Sequence, residues 1–195
     1  QFGVYLDSDD GWKRIAEETG LPADQASDVL WDREGNLWVG LETYGLARLL
    51  GMGSWQGFTT QNGLSTNTVT AILRDKRGWH WIGTTFGLNL SDAEFRHVRL
   101  WTRHSGLPGD DVRALALDPL GGVWAGLGAG GLVRFDSPQS PPRRYGLADG
   151  LGDDRIINLN LTRDGVLWVS TRDGLYRANV RNRSARFESV PVPSH

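Results

Sequence analysis

Four tryptophans, Trp38, Trp81, Trp124 and Trp168, recur at intervals of 43, 43 and 44 residues, each inside a copy of one short motif. The copies read DREGNLWVG, DKRGWHWIG, DPLGGVWAG and TRDGVLWVS, starting at Asp32, Asp75, Asp118 and Thr162. Eighteen residues before each tryptophan stands a Gly-Leu pair, at Gly20, Gly63, Gly106 and Gly150. Six or seven residues after it comes a second pair, at Gly45, Gly87, Gly131 and Gly174. A period in the low forties is the length of four short strands and their turns, one blade of a β-propeller. The expected fold is therefore all-β, about four and a half four-stranded blades of ~43 residues.

Composition agrees. Twenty-six glycines, one methionine and no cysteine in 195 residues make a turn-rich chain with no disulfides and no thiolate chemistry. The net charge of −2 gives no reason to expect nucleic acid or an anionic membrane surface as partner. No stretch approaches the ~18 consecutive apolar residues of a membrane span. Any membrane association is thus expected through an anchor elsewhere, and Gln1 in first place leaves room for a leader or anchor upstream.

Within each period the apolar pattern breaks into four pieces. The first strand is a run such as Val69–Leu73 or Val112–Leu117, read as alternating with period two. A turn follows, opened by Asp32 or Asp75 and closed by Gly35 or Gly78. There the carboxylate accepts backbone hydrogen bonds and the glycine tolerates positive φ. The second strand carries the tryptophan, and Gly40, Gly83 and Gly126 just after it allow close backbone approach. The third starts at the second Gly-Leu and often holds an arginine, Arg48, Arg134 or Arg177. The fourth holds Phe58, Trp101 or Tyr145, with Ile15 in the first copy.

Gly3-Val4-Tyr5 stands 42 residues before Gly45-Leu46-Ala47, so residues 1–19 read as the third and fourth strands of an earlier blade. Repeat units 20–62, 63–105, 106–149 and 150–195 follow, together a single propeller segment over 1–195. The expectation is an internal piece of a larger, about seven-bladed propeller; a four-bladed ring with an extra half-blade is the competing reading. An open arc would expose inter-blade apolar surface at both ends, which predicts marginal stability or end-to-end association.

The order Gly-Leu, a Val-x-x-Ile strand, Asp-x-x-Gly-x-Leu-Trp-Val/Ile-Gly and Gly-Leu resembles the two-component regulator propeller repeat. The copy from Gly63 to Leu88, GLSTNTVTAILRDKRGWHWIGTTFGL, shows it most fully. The resemblance implies a periplasmic or extracytoplasmic sensor region of a bacterial inner-membrane receptor. It also implies a downstream histidine kinase or diguanylate cyclase output module, and no universal catalytic residue. The partners it implies are the remaining blades and the downstream signalling domains. Copy four departs from the pattern, with Thr162 for aspartate and Ser170 for glycine.

Trp38, Trp81, Trp124 and Trp168 are expected to pack between neighbouring blades, since each occupies a strand position repeated in every unit. Binding should instead use residues that differ between copies, on the loop joining strands two and three and the loop entering strand one. The first kind of loop offers Glu42, Thr43, Tyr44, Thr85, Phe86, Arg172 and Asp173. The second offers Asp24, Gln25, Asn67, Asp110, Asp111, Asp153, Asp154 and Arg155. Aromatic and mixed polar groups of this kind suit a small-molecule or glycan ligand. Solvated loop tips are the plainer reading of any one of them.

The adjacent carboxylates of Asp110-Asp111 and Asp153-Asp154 make no natural two-carboxylate catalytic site. His80, His97, His104 and His195 lack metal-ligand spacing, and His80 reads as a blade-surface residue. No cofactor, metal site or catalytic residue is expected. The leading reading is a non-catalytic, ligand-sensing segment of a membrane receptor. A propeller-scaffold lyase, resembling the streptogramin-inactivating type, or a hydrolase is the alternative, and a plain protein-interaction propeller is the third.

Overall fold

The structure, a computed structural model, describes residues 4–8, 11–15, 20–50, 53–181 and 184–191; Gly3 and His195 lie outside them. Strands β1 (Val4–Ser8) and β2 (Gly11–Ile15) form an antiparallel pair. The next sheet runs β3 (Ala26–Trp31), β4 (Leu37–Leu41), β5 (Leu46–Leu50) and β6 (Ser54–Phe58). The second runs β7 (Val69–Arg74), β8 (His80–Thr84), β9 (Gly87–Ser91) and β10 (Val98–Trp101). The third is β11 (Val112–Leu117), β12 (Val123–Leu127), β13 (Leu132–Phe135) and β14 (Arg143–Tyr145). The fourth is β15 (Ile156–Leu161), β16 (Val166–Thr171), β17 (Leu175–Asn179) and β18 (Glu188–Val190). Every sheet is an antiparallel meander in chain order, and the first strands β3, β7, β11 and β15 lie side by side along one edge. This is a propeller segment, with those four strands innermost.

The turns follow the residues that specify them. Asp32 Oδ1 accepts the Glu34 and Asn36 amides, while Gly35 closes the turn at φ 84°. The second carboxylate oxygen turns inward and accepts the indole N–H of Trp38 at 2.8 Å. Asp75–Trp81 and Asp118–Trp124 repeat the bond at 3.0 Å. Burial pushes the Asp32 carboxyl up, but the Trp38, Asn36 and Glu34 donors outweigh it and hold the group below the usual carboxylate range.

The core lies between sheets rather than within one. Trp38, Leu46 and Phe58 pack on Val69, Ile72 and Ile82 of the next sheet. Trp81, Leu88 and Trp101 pack on Val112, Val133 and Phe135, and Trp124, Leu132 and Tyr145 on Ile156, Leu167 and Phe187. Val4 and Ile15 close the other end against Leu37, Val39 and Ala47. Trp38, Trp81 and Trp124 are thereby fully buried, whereas Trp168 is half-buried and belongs to none of these clusters.

Glycines set the spacing. A Cβ at Gly40 would meet Val69 Cγ1 at 2.8 Å, one at Gly83 would meet Val112 Cγ1 at 2.8 Å, and one at Gly126 would meet Ile156 Cγ2 at 2.6 Å. Each missing side chain lets the first residue of the next inner strand sit against the preceding sheet. Ser170, the fourth counterpart, meets no such strand among the described residues, and its Oγ donates to Asn158 O within its own sheet.

Two expectations need correction. The alternation expected of the first strands holds in β3 and β11 but breaks in β7 and β15, and in all four the pairing register slips after the opening residue, leaving Ser27, Thr70, Arg113 and Ile157 as bulges. His80 is not on the blade surface. Its ring is fully buried against Trp38, centroid to centroid 4.5 Å, because the first sheet covers that face of β8.

Candidate functional site

All the loop residues singled out from the sequence fall at one end of the inner strands, and backbone hydrogen bonds stitch those loops together. Within a sheet, the loop after the second strand donates to the loop before the first: Glu42 N to Gln25 O, Thr85 N to Thr68 O, Gly128 N to Asp111 O and Arg172 N to Arg155 O. Between sheets, Gly45 N donates to Asn67 O, Gly87 N to Asp110 O and Gly131 N to Asp154 O, at 2.6–2.8 Å. These three glycines have φ of 84°, 115° and 81°, and a Cβ on any of them would strike the carbonyl oxygen of Phe58, Trp101 or Tyr145. The second Gly-Leu pair is therefore where one blade is tied to the next.

Several candidate side chains hold their own loops. Asp24 accepts the Thr43 and Tyr44 amides at 2.7 and 3.1 Å, and these with Gln25 outweigh its burial to keep the carboxyl below its ordinary range. Asn67 Oδ1 accepts the Thr60 amide, and Asp110 Oδ1 accepts the Arg103 amide. Asp153 is gripped by the Arg155 guanidinium, which donates to both carboxylate oxygens and lowers the group to about 2. Asp173 accepts from the Thr171 and Tyr176 hydroxyls. Glu42, Thr43, Tyr44, Thr85, Phe86 and Arg172 are exposed, with Tyr44 at 55% and Phe86 at 53% presenting apolar rings to solvent.

A concave region opens along the inner strands themselves. It has a volume of about 460 Å³, and the bulge residues Ser27, Thr70 and Arg113 and the exposed Ile157 line it together with Asp28 and Asn158. Asp28 accepts the amides of Val29 and, across the sheet boundary, Ile72, both at 2.8 Å. Its burial still outweighs those bonds and pushes the carboxyl above its ordinary value. Arg113 pairs with Asp111 at 2.7 Å. Thr70 Oγ1 donates to Val112 O at 2.6 Å. Of these groups only Asp111 was picked out from the sequence; the one signal for the rest was the pair of adjacent apolar residues at Ala71-Ile72, out of step with alternation. Among the described residues, no group of three or more potential metal ligands converges.

The third-strand arginines lie over the tryptophans rather than in either region. Arg48, Arg134 and Arg177 pair in register with Trp38, Trp124 and Trp168, their guanidinium carbons 5.1, 5.8 and 5.9 Å from the rings.

Residues 20–43 and 63–86 match the two component regulator propeller family. Among solved structures, the chain is similar to the extracellular domain of the putative hybrid two component system BT3049 from B. thetaiotaomicron. That likeness has 20% identity and a TM-score of 0.77, over 95% of this chain and 28% of that one. The extracellular domain of the putative one component system BT4673, from the same organism, aligns at 20% identity and TM-score 0.73, over 90% and 24%. Virginiamycin B lyase from Staphylococcus aureus aligns at 12% identity and TM-score 0.77, over 97% and 63%. The chain thus spans about a quarter of the two receptor domains and under two thirds of the lyase. A comparison with curated proteins gave no match. Two of the four repeats, at residues 20–43 and 63–86, thus match the two component regulator propeller family, and the sheets of the chain resemble those of the solved receptor domains.

Proposed function

We propose that this chain, as one propeller segment over residues 1–195 built of the four repeat units and a leading half-blade, is a non-catalytic ligand-sensing part of a bacterial signalling receptor. The observation that carries the reading is the match of two repeats to the two component regulator propeller family, joined to a fold like that of hybrid two-component extracellular domains. The segment would stand outside the cytoplasm, held to the inner membrane by an anchor beyond it, with a histidine kinase or diguanylate cyclase as output. A ligand on the loop face, near Tyr44, Phe86 and Arg172, would favour one placement of the propeller relative to its neighbouring domains. The output follows from that difference in affinity between two receptor states.

The lyase reading has the likeness to virginiamycin B lyase in its favour, and a histidine-to-alanine variant of that enzyme is catalytically inactive. Here His80 is sealed between sheets, His97 is bonded to Asp92 on an exposed turn, and His104 sits in a 3-10 turn; none lines the inner-strand groove. The sensing reading is tested by fusing a reporter active only outside the cytoplasm to this segment within the parent protein. Reporter activity supports it, and a silent, stably expressed fusion overturns it.

A further inference from the structure

Each inner strand carries its bulge at the same place, one residue after it begins. The residue before the bulge is Ala26, Val69, Val112 or Ile156, apolar in every copy. For Val69, Val112 and Ile156 the reason is visible, since each seats against Gly40, Gly83 or Gly126 of the preceding sheet. The bulge residue escapes that constraint. Unpaired in the ladder and re-aimed, it is free to differ, and it does: Ser27, Thr70, Arg113, Ile157. Four chemically different side chains are thus delivered by one repeated backbone device to a single groove of about 460 Å³, a volume within the usual range of small-molecule sites.

We infer that this axial groove is a binding site for a small, uncharged molecule that presents several hydrogen-bonding groups, and that the four bulge positions set its specificity. The inference rests on the sensing reading, and it moves recognition from the loop tips to the inner strands. The charge state of the ligand follows from how the groove's own charges are met. Asp28 is answered by two backbone amides and Arg113 by Asp111, so neither needs an ion from solution. What remains open is directional: the Ser27 hydroxyl, the second face of the Thr70 hydroxyl, the side-chain NH2 of Asn158, whose oxygen accepts the Leu159 amide, and guanidinium N–H groups of Arg113 that Asp111 does not occupy. Ile157, 58% exposed, gives an apolar wall for the ligand's carbon skeleton.

The test is a binding screen on the full 195-residue chain by thermal shift and calorimetry. The probes are neutral mono- and disaccharides, with free amino acids and hexuronic acids as charged comparators. At least one neutral probe is expected to bind, and Arg113→Ala or Asn158→Ala to weaken it by about ten-fold or more. Arg163→Ala, on a remote turn, should leave it unchanged, and all variants should melt cooperatively. Binding that survives both groove variants and is lost in Tyr44→Ala or Phe86→Ala overturns the axial site and leaves the sensing reading standing. Binding of only charged comparators, or of no probe at all, also overturns the inference. The sensing reading is then judged separately, by the location of the segment in its parent.

Discussion

The indole N–H of Trp124 and the guanidinium of Arg134 meet on one oxygen of Asp118, at 3.0 and 2.7 Å, while the other oxygen accepts the Gly122 amide. A carboxylate that began as a turn residue thus fixes a buried tryptophan against the next blade, six residues on in sequence. The Asp118 side chain is fully buried and Arg134 is nearly so. Removing the carboxylate leaves Arg134 with only the exposed Asp136 as counter-ion and orphans the Trp124 and Gly122 donors.

Asp118→Ala is therefore expected to destabilise the chain by about 3 kcal/mol, the range for breaking a buried, hydrogen-bonded ion pair. Urea unfolding followed by tryptophan fluorescence measures it. A loss below about 1 kcal/mol would mean that neither the turn nor the tryptophan depends on this carboxylate.

The fourth copy offers the converse experiment. Thr162 Oγ1 accepts the Val166 amide, as Asp118 does for Gly122, but has no second oxygen for Trp168. Thr162→Asp supplies it, and should raise stability by up to about 1 kcal/mol, the net worth of one hydrogen bond. A destabilised variant would show that Trp168 cannot adopt the orientation of the other three.

Blade spacing depends on Gly83, where an added Cβ would stand 2.8 Å from Val112 Cγ1. Gly83→Ala should cost about 1–3 kcal/mol as the two sheets are forced apart. Gly57, on the fourth strand of the first sheet, has open space around its Cα, so Gly57→Ala should be neutral or slightly stabilising. Equal effects in paired thermal melts would remove the argument that glycine after the tryptophan serves inter-blade contact.

His80 predicts a pH dependence. Burial holds its imidazole near 4 in the folded chain, with Arg74 and Arg48 adding to the shift and Asp32 and Glu34 opposing it, against 6.5 when unfolded. Between those values the unfolded chain binds the extra proton, so stability rises with pH from about 4 to 6.5 and this contribution is level outside that window. The span corresponds to about 3 kcal/mol. His80→Phe keeps an aromatic ring against Trp38 and should flatten that part of the profile. An unchanged slope would assign it to the carboxylates.

The architecture was legible in the primary structure because it is written four times: Trp38, the Asp32–Gly35 turn and the paired Gly-Leu steps each recur and each map to one strand or turn. What stayed hidden depends on neighbours the local pattern does not name. His80 looks like an exposed strand residue until Trp38 of the preceding sheet covers it. Asp75 and Trp81 look like turn and core until the bond between them is seen. The inner-strand groove was hidden for a related reason. A bulge at Thr70 adds one residue to a five-residue run, and nothing in Val69-Thr70-Ala71-Ile72-Leu73 says which edge of the sheet faces the axis.

The central claim, that this chain is a sensing segment of a larger receptor, is met most directly by reading the parent gene on both sides of the segment. The account predicts further repeats, then a membrane-spanning helix and a kinase or cyclase module. A frame that holds only these blades, with neither anchor nor output module, would contradict it.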